Sequence, residues 1–122
     1  MKPTRLVVSV TTDAAGAATA YSDVVSGEIV SIRYVKTDFA DGSTMTMTAE
    51  ATGESIWSES AVNASATRAP RQATHSITGA ASLYAAAGQA VLDRISLSDD
   101  RVKIVIASGG NKKTGTFHIV VQ

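Results

Sequence analysis

The chain has no cysteine, which excludes a disulfide framework, a thiolate nucleophile and any zinc site built on sulfur. Aromatic residues are scarce at 5%, and the apolar fraction of 44% comes largely from Ala and Val, so the expected core is thin and has few large anchors. An excess of either charge is also missing. Eleven basic and eleven acidic residues cancel to a formal charge of zero, and no net field steers the chain toward nucleic acid or an anionic lipid surface. No apolar run approaches the roughly 20 residues of a membrane-spanning helix. The opening Met1-Lys2-Pro3-Thr4-Arg5-Leu6 lacks the apolar stretch of a secretory signal. These absences set the expectation of a protein made in a cytoplasm, with neither a nucleic-acid nor a membrane partner.

At 122 residues the chain suits one domain, residues 1–122, able to bury about two thirds of the surface exposed by its unfolded chain. Short segments of period two run through it. Leu6, Val8 and Val10 share one face of a first strand, with Arg5, Val7 and Ser9 on the other. Residues 11–16 read as a turn and 17–25 as a short strand that carries Tyr21, with Gly27 breaking it before a third strand over 28–36. That third strand is rich in β-branched and aromatic residues: Ile29, Val30, Ile32, Tyr34 and Val35. Thr alternates with Met45, Met47 and Ala49 in 43–50, the pattern of a sheet with one buried face. Ile56 and Trp57 mark a strand in 54–60. Residues 101–107 and 114–121 are expected to form a hairpin across Ser108-Gly109-Gly110-Asn111-Lys112-Lys113.

The segment from 60 to 92 contains no Asp or Glu. Arg68, Arg71 and His75 stand in a background of Ala, Ser, Thr and Gly, and Gly79 and Gly88 limit residues 82–87 to at most one helical turn. A structureless run of that length inside a compact domain is usually functional, so residues 60–90 read as a long interface loop or arm, followed by a returning strand over 91–97. Arg68 and Arg71 are its candidate anchors, because Arg is favoured in interfaces and the segment has no acid of its own to neutralise it. Pro70 biases Ala69 toward an extended conformation. His75 joins them as a third candidate interface residue.

No chemistry-bearing motif survives inspection. Asn111-Lys112-Lys113-Thr114-Gly115 lacks the glycine before Lys-Thr, and a strand follows where a phosphate-binding loop needs a helix. Asp38, Asp41 and Gly42 lack the ligand ladder and closing Glu of a calcium loop and read as a turn. His75 and His118 are the only histidines, and His118 alternates with Phe117 and Ile119, on a face toward solvent or an interface. There is no Gly-x-Ser-x-Gly elbow. Asn63-Ala64-Ser65 matches a glycosylation acceptor by pattern alone. The expectation is therefore a non-enzyme with no cofactor and no metal.

Ile32-Arg33-Tyr34-Val35-Lys36-Thr37-Asp38-Phe39-Ala40-Asp41-Gly42, Ala66-Thr67-Arg68-Ala69-Pro70-Arg71-Gln72-Ala73-Thr74-His75 and residues 101–121 together resemble small proteins of tailed bacteriophages that are encoded among head-assembly genes. The resemblance covers most of the chain through local wording and includes no catalytic motif. It implies an all-β, jelly-roll-like β-sandwich in the virion, a capsid decoration or cement protein on the capsid exterior. Its partner would be the major capsid protein, and it would form a homo-oligomer, dimer or trimer. A tail or neck component and a carbohydrate-binding β-sandwich on the virion surface are the alternatives. The fold expectation is checked by far-ultraviolet circular dichroism, where a β-dominated spectrum is expected and helix above about one third would contradict it.

Overall fold

The computed structural model describes residues 3–122 except 76, 84 and 87. It is all-β and sandwich-like. The strands are β1 (Thr4–Thr11), β2 (Ala18–Tyr21), β3 (Val25–Lys36), β4 (Thr44–Ala49), β5 (Ser55–Glu59), β6 (Ala66–Arg68), β7 (Arg71–Ala73), β8 (Leu92–Arg94), β9 (Ser96–Asp100), β10 (Val102–Ala107) and β11 (Thr114–Val121). One sheet runs β1-β11-β3-β6, with β9 also paired to β3; the second runs β2-β10-β4-β5; β7 and β8 form a separate two-stranded ribbon. The pairing is nested. β1 pairs with β11, β2 with β10, β3 with β6 and β4 with β5, all antiparallel, so the chain is wound like one long hairpin folded over on itself.

The period-two residues fill the space between the sheets. Leu6, Val8 and Val10 of β1 meet Phe117, Ile119 and Val121 of β11 and Ile29, Ile32 and Tyr34 of β3, while the other sheet contributes Met45, Met47, Ala49, Val102, Ile104 and Ile106; all are buried. Each fully buried Val, Leu, Ile, Met or Phe contributes about 1.5 to 3 kcal/mol of transfer free energy, which is how a core with few aromatics holds two sheets together. Its three principal rings form one group: Tyr34 stacks on Phe117 at 5.2 Å and on Phe39 at 6.0 Å between centroids. Gly115 makes that group possible, because a Cβ there would lie 2.6 Å from Cε2 of Phe39.

Two sequence expectations need correction. Residues 101–107 and 114–121 are strands but not a hairpin: β10 has both edges filled by β2 and β4, and β11 has both filled by β1 and β3. Residues 108–113 instead cross between the sheets, held by Gly109 N–H to the Gly16 carbonyl (2.9 Å), Ala40 N–H to the Gly109 carbonyl (2.9 Å) and Thr12 Oγ1 to the Gly110 carbonyl (2.6 Å). Gly27 does not end a strand either. β3 passes through it with a shift of register against β9, and its φ of 144° and a would-be Cβ 2.8 Å from the Gln122 carbonyl oxygen explain why glycine stands there. The single helical turn expected over 82–87 falls partly on residues 84 and 87, outside the described residues; no helix occurs among those described.

Tyr34 is wholly buried and its hydroxyl has no hydrogen-bond partner. Burial, reinforced by the charge of Asp38, pushes its pKa up to about 12. The unfolded chain releases this proton near pH 10, while the folded chain holds it; stability is therefore full below pH 10 and falls as pH rises from there toward 12. Tyr34→Phe removes an unsatisfied polar atom without changing the ring. Its melting temperature at pH 7 is expected to be equal to or above that of the parent, and its alkaline loss of stability between pH 10 and 12 shallower, both read by thermal denaturation.

Candidate functional site

The expected arm is shorter and more structured than the sequence suggests. Residues 60–65 are a crossing from β5 in one sheet to β6 in the other, and they are tied down along their length. Val62 is buried; its N–H donates to the Ser43 carbonyl (3.0 Å) and its carbonyl accepts from Ser43 Oγ (3.1 Å). Asn63 accepts from Gly42 N–H through Oδ1 (2.6 Å) and from Lys36 Nζ through its carbonyl (2.9 Å), and Ser65 Oγ accepts from Lys36 N–H (2.9 Å). β6 then adds to the edge of β3. What leaves the body is the segment from β7 to β8, and no described residue from 71 to 94 is buried.

This appendage has its own hydrogen-bonded plan. Its stem is the antiparallel pair β7 and β8, in register Arg71 to Arg94 through Ala73 to Leu92. Thr74, Ser82 and Val91 meet at a junction: Thr74 N–H donates to the Val91 carbonyl (2.8 Å), Ser82 N–H to the Thr74 carbonyl (2.7 Å) and Val91 N–H to the Ser82 carbonyl (2.9 Å). Beyond it the chain splits into two small loops, closed by the bridges His75 to Ala81 and Leu83 to Ala90. Ile77 is fully exposed, and Leu92 and Leu83 are 59% and 45% exposed.

The structure places the three candidate residues at different levels of this segment. Arg68, in β6, grips Glu59 of β5 with two bonds of 2.8 Å, Nε to Oε1 and Nη2 to Oε2. Glu59 also accepts from Trp57 Nε1 at 3.2 Å. The Arg68 bonds, with that of Trp57, hold the Glu59 carboxyl below its ordinary range, and Glu59 in turn raises the Arg68 pKa. The pair joins an edge of one sheet to an edge of the other. Arg71, at the foot of the stem, turns inward too: Nη1 donates to the carbonyls of Pro70 (2.8 Å) and Val30 (3.1 Å). Val30 is the extra residue where β3 shifts register against β11, and such a bulge frees a carbonyl from the ladder. Only His75 lies on the exposed part, at the start of the first small loop.

No family model, curated protein or solved structure matches the chain. Sequence reasoning passed over Glu59, which stands one residue ahead of the acid-free run and supplies the neutralising charge that the run lacks. It also passed over Ile77, Leu83 and Leu92, whose signal was isolation: large apolar residues without a period-two neighbour in a polar segment. Among the described residues, no group of three or more His, Asp or Glu is placed to hold a metal ion.

The two arginines are expected to separate in a stability measurement. Arg71→Ala leaves the partly buried Val30 carbonyl without its donor and should cost about 1 to 3 kcal/mol. Arg68→Ala, which removes an ion pair with side chains 41% and 33% exposed, should have the smaller effect because solvent screens it. Urea denaturation of the two single variants checks the order.

Proposed function

We propose that the chain is a structural protein of a tailed-bacteriophage particle, a decoration protein that docks on the major capsid lattice with its appendage against a capsid subunit. The observation that carries the reading is the appendage itself: 24 residues, 71–94, with no buried member among those described, and Ile77, Leu83 and Leu92 held out in solvent. A fully exposed side chain such as Ile77 gains about 1.5 to 3 kcal/mol when a partner covers it, and the half-exposed leucines gain less. An ordered stem and junction reduce the entropy lost on docking. On a lattice, many copies of a modest contact suffice.

The nested strand pairing supports the jelly-roll reading of the sandwich, since it matches an eight-stranded roll once the appendage and β9 are set aside. Viral capsid domains use that fold, and so do lectins, so the pairing alone does not select between them. A polar cleft of about 540 Å³ beside β6, lined by residues including Arg33, Glu59, Asn63, Thr67 and Arg68, is where a sugar would sit. No aromatic ring lines it, and the decoration reading is preferred. Placement on the capsid exterior and a homo-oligomeric state belong to the same proposal, and a tail or neck position is the competing placement.

The test is co-sedimentation of purified protein with undecorated, expanded heads and, separately, with tails of the virus that encodes it. Binding to heads but not tails is expected. Ile77→Ser with Leu83→Ser should weaken it at least tenfold, about 1.4 kcal/mol, with an unchanged melting temperature because neither residue is in the core. Binding to tails alone, or unchanged binding by the double variant, would sink the reading.

A further inference from the structure

The sandwich has several strand edges, and all but one are guarded. β6 has three residues and is followed by Ala69-Pro70; β2 has four; β5 and β9 each carry a register shift against their partners. Short strands, proline and bulges are the devices that keep an edge from pairing with another chain. β1 has none of them along its length, and Pro3 stands just ahead of it. It runs eight residues from Thr4 to Thr11 in unbroken register with β11. Apart from that pairing, no described backbone hydrogen bond involves residues 4–11. Its one charge, Arg5, stands with Val7 and Ser9 on the outer face, where Val7 is 55% exposed. Leu6 and Val8 retain 8% exposure each, while Val10, nearer the turn, retains 2%.

We infer that β1 is the seam of a two-fold homodimer, in which the β1 strands of two copies pair antiparallel and join their sheets into one. The strand's own sequence selects the occupant and the register. Antiparallel partners must share a face, so residues of like parity pair. With Val7 on the two-fold axis, Val7 meets the second copy's Val7 and Leu6 meets its Val8 on the core side. Arg5 meets Ser9, which keeps the two guanidinium groups apart. Centring on Val8 would span Arg5 to Thr11 but set the exposed Val7 against Ser9, and centring on Leu6 would carry the pairing back past Pro3. The Val7 register spans Thr4 to Val10 and sets the two exposed valines against each other. It leaves no like charges opposite one another. Such a contact is isologous and closes at two copies. The inference stands on the edge alone and does not need the capsid reading.

Sedimentation equilibrium of the isolated protein, with no heads present, tests it independently of that reading. The parent is expected to be a concentration-dependent dimer. Val7→Lys sets two ammonium groups face to face on the axis and should weaken the dimer at least roughly fivefold. Ser9→Glu places a carboxylate opposite Arg5 at two symmetric points and should tighten it, more at low salt than at high. Because the chain has no cysteine, Val7→Cys gives a single thiol, and directly opposed residues of an antiparallel pair lie within disulfide reach. It should form a disulfide-linked dimer under mild oxidation far faster than Val35→Cys, an exposed position on β3. This holds the test open if the lysine variant fails to fold. A monomer at every concentration, a trimer, a dimer indifferent to Val7→Lys, or equal cross-linking of the two cysteine variants would overturn it.

Discussion

β3 has more hydrogen-bonding edge than any one strand of this chain can cover. Of its twelve residues, Ile29 to Lys36 take β11 along one side, while on the other β6 covers only Ile32 to Tyr34 and β9 covers the stretch from Val25 to Glu28. Between them lies the bulge at Val30, and there Arg71 supplies the missing donor. The chain between β6 and β9 has to leave the sheet at that gap, and the appendage is what leaves. A backbone polar group without a partner costs about as much as a lost hydrogen bond, so the side chain that closes the gap also fixes the foot of the stem.

The division of labour follows. Every buried large side chain belongs to the sandwich or to a loop sealed against it, and the appendage contributes none among its described residues. Changes in the distal loops are therefore free to alter a surface without altering the core. Changes at Arg71 are not, since that residue serves the body of the fold as well as the stem. The Glu59 and Arg68 pair lies between these cases, joining the two sheets at an edge.

Much of the sandwich was legible in the sequence because period two is a local signal. Met45, Met47 and Ala49 are buried as their alternation requires, and so are Leu6, Val8 and Val10. Pairing is not local. The Gly-Gly-Asn connection before β11 carries hairpin residues, yet β10 and β11 each find two better neighbours elsewhere. Gly27 has the residue type of a break, but what it answers to is Gln122, far away in sequence. The same limit governs the candidate site. The acid-free run made Arg68 read as free because its acid lies just outside the run, and Arg71 faces a carbonyl, which no sequence pattern marks. The appendage was visible as a segment unlike the rest, but its junction of Thr74, Ser82 and Val91 was not.

The nesting of the strands bears on how the chain comes to be folded at all. β11 lies between β1 and β3, so the middle of one sheet is synthesised after the other ten strands. Until residues 114–121 have emerged, β1 and β3 have no common neighbour, and Tyr34 and Phe39 lack the ring of Phe117. A topology that joins first strand to last makes mostly distant contacts, and such chains fold slowly because loop closure precedes any gain from pairing. Until β11 emerges, the nascent chain carries unpaired edges on β1 and β3, and it is the arrival of β11 that covers them.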